Sequence, residues 1–380
     1  RRSSDLPNTD GIVTRLCATI DWLKKKGHHV FVIAPDLGID SYKGTSVAGL
    51  PARTFFLYRE KKLALPTRKV GQLLRDYDPD IVHVVNPAVL GVAGIYYTKK
   101  LGLPLIASYH TNIPQYADYY RLPFLKPALW GYLRMLHNRA DMNLCTSQSV
   151  YEQLTSKRFR HVHVWKRGVD LEMFAPEQYD EDMRMRLTNQ QPDQKLLLYV
   201  GRLAAEKEIE KLRHVLETSP EFCLAIVGDG PYRSHLEKHF AGTNTVFTGF
   251  LHGKQLASAY ASADLFVFPS TTETLGLVIL EAMASGLPVI AADSGPTREQ
   301  IKHGHNGLLF DQNDPESLTK TVLTLADDER RKQMSVNALK TGQLFGWSKP
   351  SEQLLHFYMQ TIQHHRETGD NVPIDMRDSS

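Results

Sequence analysis

Residues 265–291 constrain the fold more than any other stretch of this chain. An apolar run ends there at Pro269, a small polar turn follows, and a segment of helical character extends from about Leu275 to Ser285. Gly286 stands where a glycine commonly ends a helix, and a second apolar run follows it. The pattern predicts a strand, a turn, a helix and another buried strand, the unit from which parallel sheets are built.

The turn before the predicted helix has the features of an anion site. A helix start leaves backbone N–H groups unbonded and carries partial positive charge, which suits a phosphate. Glu273 lies in the turn and Glu281 eight residues later, roughly 12 Å away along a helix. That separation suits the two ends of an elongated ligand whose diphosphate contacts the amides of Gly276, Leu277 and Val278. The alternative is that Glu281 only forms pairs on an exposed helix face.

The Glu-x7-Glu spacing and the sequence Ala-Met-Ala-Ser-Gly-Leu-Pro-Val-Ile-Ala after it, residues 282–291, resemble the retaining glycosyltransferases of family 4. That resemblance implies the GT-B fold, an α/β architecture with two Rossmann-like, doubly wound domains facing a cleft and a C-terminal helix crossing back. It also implies that Glu273 holds hydroxyls of a donor sugar and that Glu281 holds the ribose of its nucleotide.

Length and composition fit this architecture. The chain has 380 residues, enough for two domains of ordinary size, and its 42% hydrophobic and 23% charged content is typical of a globular protein. A net charge of +3 is too small to indicate a nucleic-acid partner. Three widely spaced cysteines suggest neither a disulfide framework nor a metal site and favour a reducing compartment. No apolar run is long enough to predict a membrane span.

We predict four segments along the chain. Residues 1–178 are expected to form an acceptor-binding domain and 179–345 a nucleotide-sugar-binding domain. Residues 346–366 are expected to form the helix that returns to the first domain, followed by a disordered tail at 367–380. The polar, proline-flanked stretch 176–193 is expected to be the linker region.

The start of the chain departs from the family pattern. Relatives usually begin with a buried strand that leads into a Pro-x-x-x-Gly turn, which here ends at Gly11. Residues 1–6 contain neither a Met nor an apolar run, so we expect a truncated or spliced start, or a remnant of a transit peptide. The resemblance implies that Gly11 allows the backbone to approach the donor phosphate and the acceptor.

A pair of cations follows the first predicted strand of the second domain. Arg202 and Lys207 are spaced so that a planar guanidinium and a compact ammonium can converge on one diphosphate. The alternative is a solvated, charged loop. The pair resembles the family's Gly-Arg-x4-Lys donor-phosphate motif, which implies that these cations stabilise the leaving diphosphate, a task that otherwise needs a metal.

Two further loops resemble the family's nucleotide-binding region. Gly228 and Gly230 form a double-glycine turn after a predicted strand, and Leu251 follows another; the resemblance places both loops beside the base. The Gly-x-Gly-x-x-Gly pattern of NAD-binding proteins is absent. Residues 78–80 are formally Asp-x-Asp but resemble the family's structural turn. We therefore expect neither a metal nor another cofactor.

His110 is the candidate sugar contact of the first domain. It follows the predicted strand 104–109, where an imidazole is placed to reach a sugar hydroxyl in an interdomain cleft. The alternative is a histidine whose hydrogen bonds are satisfied by the backbone. The family's Ser-x-His pattern at this strand end implies contact with the donor sugar near the reaction centre.

A narrower resemblance, from about residue 6 to 309, is to the sulfolipid synthases of cyanobacteria and plastids. It rests on segments such as Tyr-His-Thr-Asn-Ile-Pro-Gln-Tyr at 109–116 and Trp-Lys-Arg-Gly-Val-Asp at 165–170. It implies metal-independent transfer of sulfoquinovose from UDP-sulfoquinovose to diacylglycerol. Related transferases that move glucose, galactose, glucuronate or mannose from UDP or GDP to a lipid or phosphatidylinositol are the alternative.

A lipid acceptor requires contact with a bilayer. Basic residues precede an apolar triplet near residues 53–65, and aromatic and basic residues alternate between 116 and 134. This mixture predicts peripheral association of the first domain with the cytoplasmic face of a bacterial inner, thylakoid or plastid envelope membrane. A lid and core helix around the acceptor cleft is the alternative. Rivals to the enzyme class itself are an epimerase or hydrolase on the same fold and a non-catalytic UDP-sugar-binding protein.

Overall fold

A computed structural model describes residues 11–55, 58–114, 123–271 and 275–368 of the chain. Its contacts divide the chain into two units, residues 1–166 with 348–380, and residues 167–347. The second unit therefore begins ahead of the predicted boundary at 178. The reason is local packing, because Val169 and Phe174 are buried in the core of the second unit.

The first unit is an α/β structure around three small sheets. Its helices are α1 (Gly11–Lys25), α2 (Arg68–Tyr77), α3 (Leu90–Lys100), α4 (Lys126–His137) and α5 (Gln148–Ser156). Its strands are β1 (Phe31–Pro35), β2 (Ser41–Tyr42), β3 (Thr45–Leu50), β4 (Ala52–Phe55), β5 (Tyr58–Ala64), β6 (Val82–Val85), β7 (Leu105–Ser108), β8 (Met142–Cys145) and β9 (Val162–Val164).

A parallel sheet in the order β6-β7-β8-β9 carries the features that matter for function. Its register pairs Val85 of β6 with Ser108 of β7, so the carboxyl ends of these strands lie at one edge. Every residue of β7 and β8 is buried, as in a parallel sheet that is covered on both faces, and most of these residues are apolar. The remaining strands form a three-stranded sheet, β1-β3-β2, and an antiparallel pair, β4-β5.

The second unit is a single six-stranded parallel sheet with helices on both faces. Its helices are α6 (Glu181–Leu187), α7 (Leu212–Thr218), α8 (Arg233–His239), α9 (Gly253–Ala261), α10 (Leu277–Ala284), α11 (Gly295–Arg298), α12 (Ser317–Leu323) and α13 (Asp328–Gly342). Its strands are β10 (Lys195–Val200), β11 (Phe222–Val227), β12 (Thr245–Gly249), β13 (Leu265–Phe268), β14 (Val289–Ala292) and β15 (Gly307–Phe310).

The strand order of this sheet, β12-β11-β10-β13-β14-β15, is the doubly wound order of a Rossmann fold. From β10 the chain adds β11 and β12 on one side of the sheet. It then adds β13, β14 and β15 on the other side, so the topological switch point lies between β10 and β13. Two core clusters fill the two faces of the sheet. In open sheets of this kind, ligands bind where the carboxyl ends of the two central strands meet.

The predicted linker at 176–193 is part of the second unit instead. Asp180 accepts a hydrogen bond from the backbone N–H of Met183 and so caps α6, whose residues Met183 and Leu187 are buried in the core. Arg184 donates to the carbonyls of Pro192, Gln194 and Ser262 and pairs with Asp264 at 2.7 Å. The prediction failed because this short helix buries few apolar side chains and is held mainly by one arginine.

The last helix, α14 (Ser348–Thr368), belongs to the first unit. Leu354 and Phe357 pack in one core cluster with Ile106, Met142 and Trp165. Across the described part of the chain, no helix is both long enough and apolar enough to cross a bilayer.

Candidate functional site

The loops that leave β10 and β13 meet at the switch point of the second unit. The side-chain hydroxyl of Ser270, which follows β13, lies 3.5 Å from the backbone carbonyl oxygen of Glu206 in the loop after β10. Ser270 is fully buried, so the two loops are in contact at this point. Arg202 and Lys207 therefore lie in the loop that contacts Ser270.

The two predicted phosphate-binding cations are both near this edge. Arg202 forms an ion pair with Glu206, and the Lys207 ammonium lies 5.8 Å from the ring centroid of Phe268, the last residue of β13. A guanidinium has five N–H donors in a planar fork, the geometry that matches a phosphate or a carboxylate. Glu206 was not anticipated from the sequence; its side chain orients Arg202.

Gly228 and Gly230 have a packing role that the sequence alone did not show. A Cβ at Gly228 would lie 2.0 Å from the carbonyl oxygen of Gly201, and one at Gly230 would lie 2.2 Å from that of Leu203. The loop after β11 thus packs backbone to backbone against the loop that carries Arg202. Whatever these glycines contribute to nucleotide binding, they fix the position of the cationic loop.

The start of α10 presents backbone amides at the same edge. Gly276 adopts a left-handed conformation, with φ of 62°, and α10 begins at Leu277. In the part of the chain that the structure describes, no side-chain hydrogen bond caps this end. The backbone amides of Gly276, Leu277 and Val278, which the sequence analysis predicted as diphosphate contacts, lie at this helix start. Glu273 lies outside the described residues.

Glu281 does not project from an exposed helix face. Its carboxylate accepts a hydrogen bond of 2.9 Å from the hydroxyl of Tyr260, a residue buried in α9. Burial raises the pKa of Glu281 to about 7, and the Tyr260 hydrogen bond opposes that rise. The surface-pair alternative is excluded. Tyr260, which orients Glu281, is a site residue that the sequence analysis missed.

Leu251 differs from the other predicted nucleotide contacts. Its side chain is buried in the core of the second unit, so a ligand contact there requires the backbone. The backbone nearby is well fixed, because the N–H of Gly228 donates to the carbonyl of Gly249 at 2.9 Å.

In the first unit, His110 lies just beyond the end of β7 and is buried. Its backbone N–H donates to the side-chain oxygen of Asn86 at 2.8 Å, and its Nε2 lies 2.9 Å from the hydroxyl of Ser108. Burial, reinforced by the nearby Arg15 charge, holds the pKa of His110 well below its usual range. The imidazole is therefore neutral at physiological pH. Gly11, the other predicted contact in this unit, is exposed as the first residue of α1.

A buried arginine adjoins His110. The Arg15 guanidinium stacks 3.4 Å from the ring centroid of Trp165 and donates to the carbonyls of Trp165 and Lys166, at 2.7 Å each. The Trp165 ring also meets the His110 ring at a centroid distance of 5.9 Å. Neither Arg15 nor Trp165 was anticipated as part of this region, because Arg15 lies in an ordinary helical segment and Trp165 follows an apolar strand.

The Asp-x-Asp sequence at 78–80 forms a helix end. Asp78 has a left-handed backbone, with φ of 50°, and its N–H donates to the carbonyl of Leu74 to close α2. Among the described residues, no group of three His, Cys, Asp or Glu side chains is arranged to hold a metal ion.

The two Rossmann-like units, with cations and helix amides at the switch point of the second, define the fold of a GT-B glycosyltransferase. Family models agree: "Glycosyltransferase Family 4" matches residues 9–173 and "Glycosyl transferases group 1" matches residues 182–341. The chain belongs to glycosyltransferase family 4 and is a glycosyltransferase. The predicted family, enzyme class and α/β fold are confirmed.

Three curated relatives illustrate the range of substrates. The sulfoquinovosyl transferase SQD2 of Arabidopsis thaliana is 37% identical over 89% of this chain and 68% of its own length. A GDP-mannose-dependent alpha-mannosyltransferase of Mycobacterium tuberculosis is also 37% identical, over 93% of this chain and 94% of its own. The alpha-monoglucosyldiacylglycerol synthase of Streptococcus pneumoniae is 29% identical over 75% of this chain and 68% of its own.

Solved structures agree on the fold. The sucrose-phosphate synthase of Thermosynechococcus elongatus superposes with a TM-score of 0.77 at 22% identity, covering 93% of both chains. HepE of Anabaena, solved in complex with UDP-glucose, superposes with a TM-score of 0.75 at 19% identity, covering 94% of this chain and 98% of its own.

Proposed function

We propose that this enzyme transfers sulfoquinovose from UDP-sulfoquinovose to diacylglycerol, with retention of configuration and without a metal. The observation that carries the assignment of the sugar is the 37% identity to the sulfoquinovosyl transferase SQD2 over 89% of the chain. The relative named as an alpha-monoglucosyldiacylglycerol synthase supports diacylglycerol as the acceptor.

The donor diphosphate is assigned to the switch point of the second unit. Arg202 and Lys207 supply positive charge, and the first amides of α10 supply N–H donors. These groups are prepositioned for the charge that develops on the leaving UDP, which is how an enzyme stabilises a leaving diphosphate without a metal. Glu281, held by Tyr260, is assigned to the ribose hydroxyls. Glu273 is assigned to the sugar hydroxyls on the sequence alone.

The chemical step follows from this placement. The acceptor hydroxyl oxygen forms a bond to the anomeric carbon on the face that the diphosphate leaves. The bond between that carbon and the β-phosphate oxygen breaks, and the acceptor proton passes to the departing phosphate oxygen. His110 is assigned to a hydroxyl of the donor sugar, which a neutral imidazole contacts without adding charge to the site.

The outer face of α4 and the turn before it support contact with a lipid surface. Phe124 is 72% exposed and Met135 is 48% exposed, and Leu125 and Tyr132 are exposed between them at helical spacing. Arg134 is exposed on the same helix, which suits an anionic bilayer. We call Phe124, Leu125, Tyr132 and Met135 the α4 apolar stripe.

Trp130 is one of the aromatic residues between 116 and 134 that were predicted to contact the membrane, and the structure corrects this prediction. Its ring stacks on Tyr109 and meets Phe159 edge to face, so it packs against the core of the first unit. The basic residues predicted near 53–62 and the aromatic residues at 116–122 lie where the structure describes no side chains. Peripheral association with the cytoplasmic face of a membrane therefore rests on the α4 apolar stripe.

A second candidate has specific support. The mycobacterial mannosyltransferase has the same identity to this chain as SQD2 and is matched over more of its own length. Mannose transfer from GDP-mannose would use the same diphosphate groups, and the ribose contact at Glu281 is common to both nucleotides. Only the base and the sugar differ.

A donor panel tests the proposal. The enzyme is supplied with UDP-sulfoquinovose, UDP-glucose, UDP-galactose or GDP-mannose, in EDTA, with vesicles containing diacylglycerol or phosphatidylinositol. Nucleotide release and lipid product are measured together. We expect UDP-sulfoquinovose with diacylglycerol to be used well above every other pair. Preferential use of GDP-mannose would replace the first candidate with the second.

The same panel separates the remaining rivals. Nucleotide release that does not depend on vesicles would indicate a hydrolase, and conversion of the sugar nucleotide without release would indicate an epimerase. Binding without turnover of any donor would contradict the transferase proposal altogether.

A further inference from the structure

Four side chains of the first unit form a continuous hydrogen-bonded chain that ends at His110. The Tyr358 hydroxyl lies 2.8 Å from Nδ1 of His83, and Nε2 of His83 lies 2.8 Å from the hydroxyl of Ser108. The same Ser108 oxygen lies 2.9 Å from Nε2 of His110. All three distances are those of good hydrogen bonds. The chain joins α14, β6 and β7, which are far apart in the sequence.

We propose that Tyr358, acting through His83 and Ser108, is a positioning residue that fixes the ring orientation and the tautomer of His110. The assignment of His110 to the donor sugar rests on the proposed function, whereas the hydrogen-bonded chain itself does not.

The number of protons on these side chains allows two arrangements of donors and acceptors along the hydrogen-bonded chain. Both imidazoles are neutral, because burial lowers the pKa of His83 to about 3 and holds that of His110 well below its usual range. A neutral imidazole carries one N–H, and the Ser108 hydroxyl has one proton. The two imidazoles are the hydrogen-bond partners of the Ser108 hydroxyl in the part of the chain that the structure describes, so its proton goes to one of them. Ser108 then accepts from the other histidine, and the tautomers of His83 and His110 are coupled.

The Tyr358 hydroxyl selects between the two arrangements. Burial raises its pKa, so it stays protonated, and His83 is its hydrogen-bond partner among the described residues. If Tyr358 donates to Nδ1 of His83, then Nε2–H of His83 donates to Ser108, and Ser108 donates to Nε2 of His110. The proton of His110 is then on Nδ1. The reverse direction would require another acceptor for the phenol proton.

Two further contacts hold the imidazole rings in the plane that the chain requires. The Trp165 ring lies 5.9 Å from each of the two imidazole centroids, and the backbone N–H of His110 is held by Asn86. Packing thus supports the ring planes, and the hydrogen bonds of Ser108 and Tyr358 fix the orientation of each ring and the position of its proton. The consequence is that α14 contributes a residue to the chemistry of the first unit as well as to its core.

The direct test is two-bond ¹H–¹⁵N correlation NMR of the histidine rings in the ligand-free protein. We expect His110 to show the Nδ1–H tautomer in the wild type. Tyr358→Phe keeps the ring and removes the donor, so a population of the Nε2–H tautomer should appear. Tyr96→Phe, which removes an exposed hydroxyl from the same unit, is the matched control and should leave the His110 signals unchanged.

A second variant, Ser108→Ala, tests whether the effect of Tyr358 on His110 passes through Ser108. Ser108→Ala interrupts the chain between the two rings, so His110 should no longer respond to the further change Tyr358→Phe. An Nε2–H tautomer in the wild type, or His110 signals that Tyr358→Phe leaves unchanged, would overturn the inference.

Activity gives a separate readout. With whichever donor the panel identifies, Tyr358→Phe should lower kcat about fivefold with little change in KM, the effect of one lost hydrogen bond. A change in the His110 tautomer together with unchanged kcat would retain the hydrogen-bonded chain and refute the role of His110 in sugar transfer. Failure of the inference and failure of the proposed function are thus distinguishable.

Discussion

The two units use different chemistry where their parallel strands end. At the ends of β10 and β13 the second unit presents cations and helix amides on tightly packed backbone loops. Beyond the end of β7 the first unit presents neutral rings, joined by hydroxyl groups and packed around Trp165. A diphosphate is recognised by charge, whereas sugar hydroxyls are recognised by oriented neutral donors and acceptors. Substitutions that remove charge should therefore have their largest effects in the second unit.

Lys207→Ala should cause the largest loss. Removing the ammonium from the leaving diphosphate should lower kcat/KM about 100-fold or more, as the loss of one prepositioned transition-state contact does. Lys211→Ala is the matched control, because Lys211 is in the same segment but pairs with Glu208 on the surface. Steady-state kinetics on both variants would contradict the comparison if the two losses were equal.

Gly228→Ala tests whether the cationic loop depends on backbone packing. The added methyl group would lie 2.0 Å from the carbonyl oxygen of Gly201, so the loop carrying Arg202 must move. We expect the free energy of unfolding to fall by about 3 kcal/mol. Gly242→Ala also has positive φ but meets nothing within 4 Å, so it should cost only about 1 kcal/mol. Equal losses in denaturant titrations would show that the packing contact is unimportant.

Phe124→Asp tests a second surface of the first unit. It changes the α4 apolar stripe and leaves the neutral site around His110 intact. Loss of one large apolar contact with the bilayer should weaken binding to anionic vesicles at least about tenfold. Met359→Asp, at an exposed position on α14, serves as the control. Co-sedimentation with vesicles in which both variants bind like the wild type would remove the stripe from the account.

Glu281→Gln should have an effect on stability that changes with pH. The pKa of Glu281 is raised from an ordinary 4.5 to about 7, so the folded protein binds the proton more tightly than the unfolded chain. This contribution to stability is complete below pH 4.5 and is lost as the pH rises to about 7. Glu281→Gln should therefore match the wild type at low pH and exceed its stability by about 3 kcal/mol at pH 8.

Glu281→Gln should bind the nucleotide more weakly than the wild type, although it is more stable at pH 8. A carboxylate accepts hydrogen bonds from both ribose hydroxyls, and an amide retains only one accepting oxygen, so affinity for UDP should fall several-fold at pH 8. Thermal unfolding and calorimetric titration of one preparation measure both effects. A variant that is more stable and also binds UDP normally would refute the assignment of Glu281 to the ribose.

The sequence predicted most of the fold because the signals of a parallel sheet are local. Buried strands such as β10 and β13 are continuous apolar runs, and Gly286 marks the end of α10. Where the signal was weak the prediction failed. The linker prediction missed α6, and β15 was not predicted.

The hydrogen-bond partners of the site residues could not be predicted from such local patterns. Tyr260 and Glu281 are 21 residues apart, and His83 and Tyr358 are 275 residues apart. Tyr260, His83 and Tyr358 belong to ordinary amphipathic or apolar patterns. The Glu-x7-Glu spacing marks Glu281 but not its partner, so only the folded backbone pairs these residues. The clashes that demand glycine at 228 and 230 likewise depend on a neighbouring loop.

The most direct test of the account is the contribution of the β-phosphate to nucleotide binding. Kd values for UDP and UMP are measured calorimetrically in EDTA for the wild type, Lys207→Ala and Lys211→Ala, with GDP and GMP as a parallel pair. The account predicts that UDP binds much more tightly than UMP to the wild type and to Lys211→Ala. It further predicts that this preference collapses in Lys207→Ala while UMP binding is unchanged. An equal preference for the diphosphate in all three proteins would contradict the central claim.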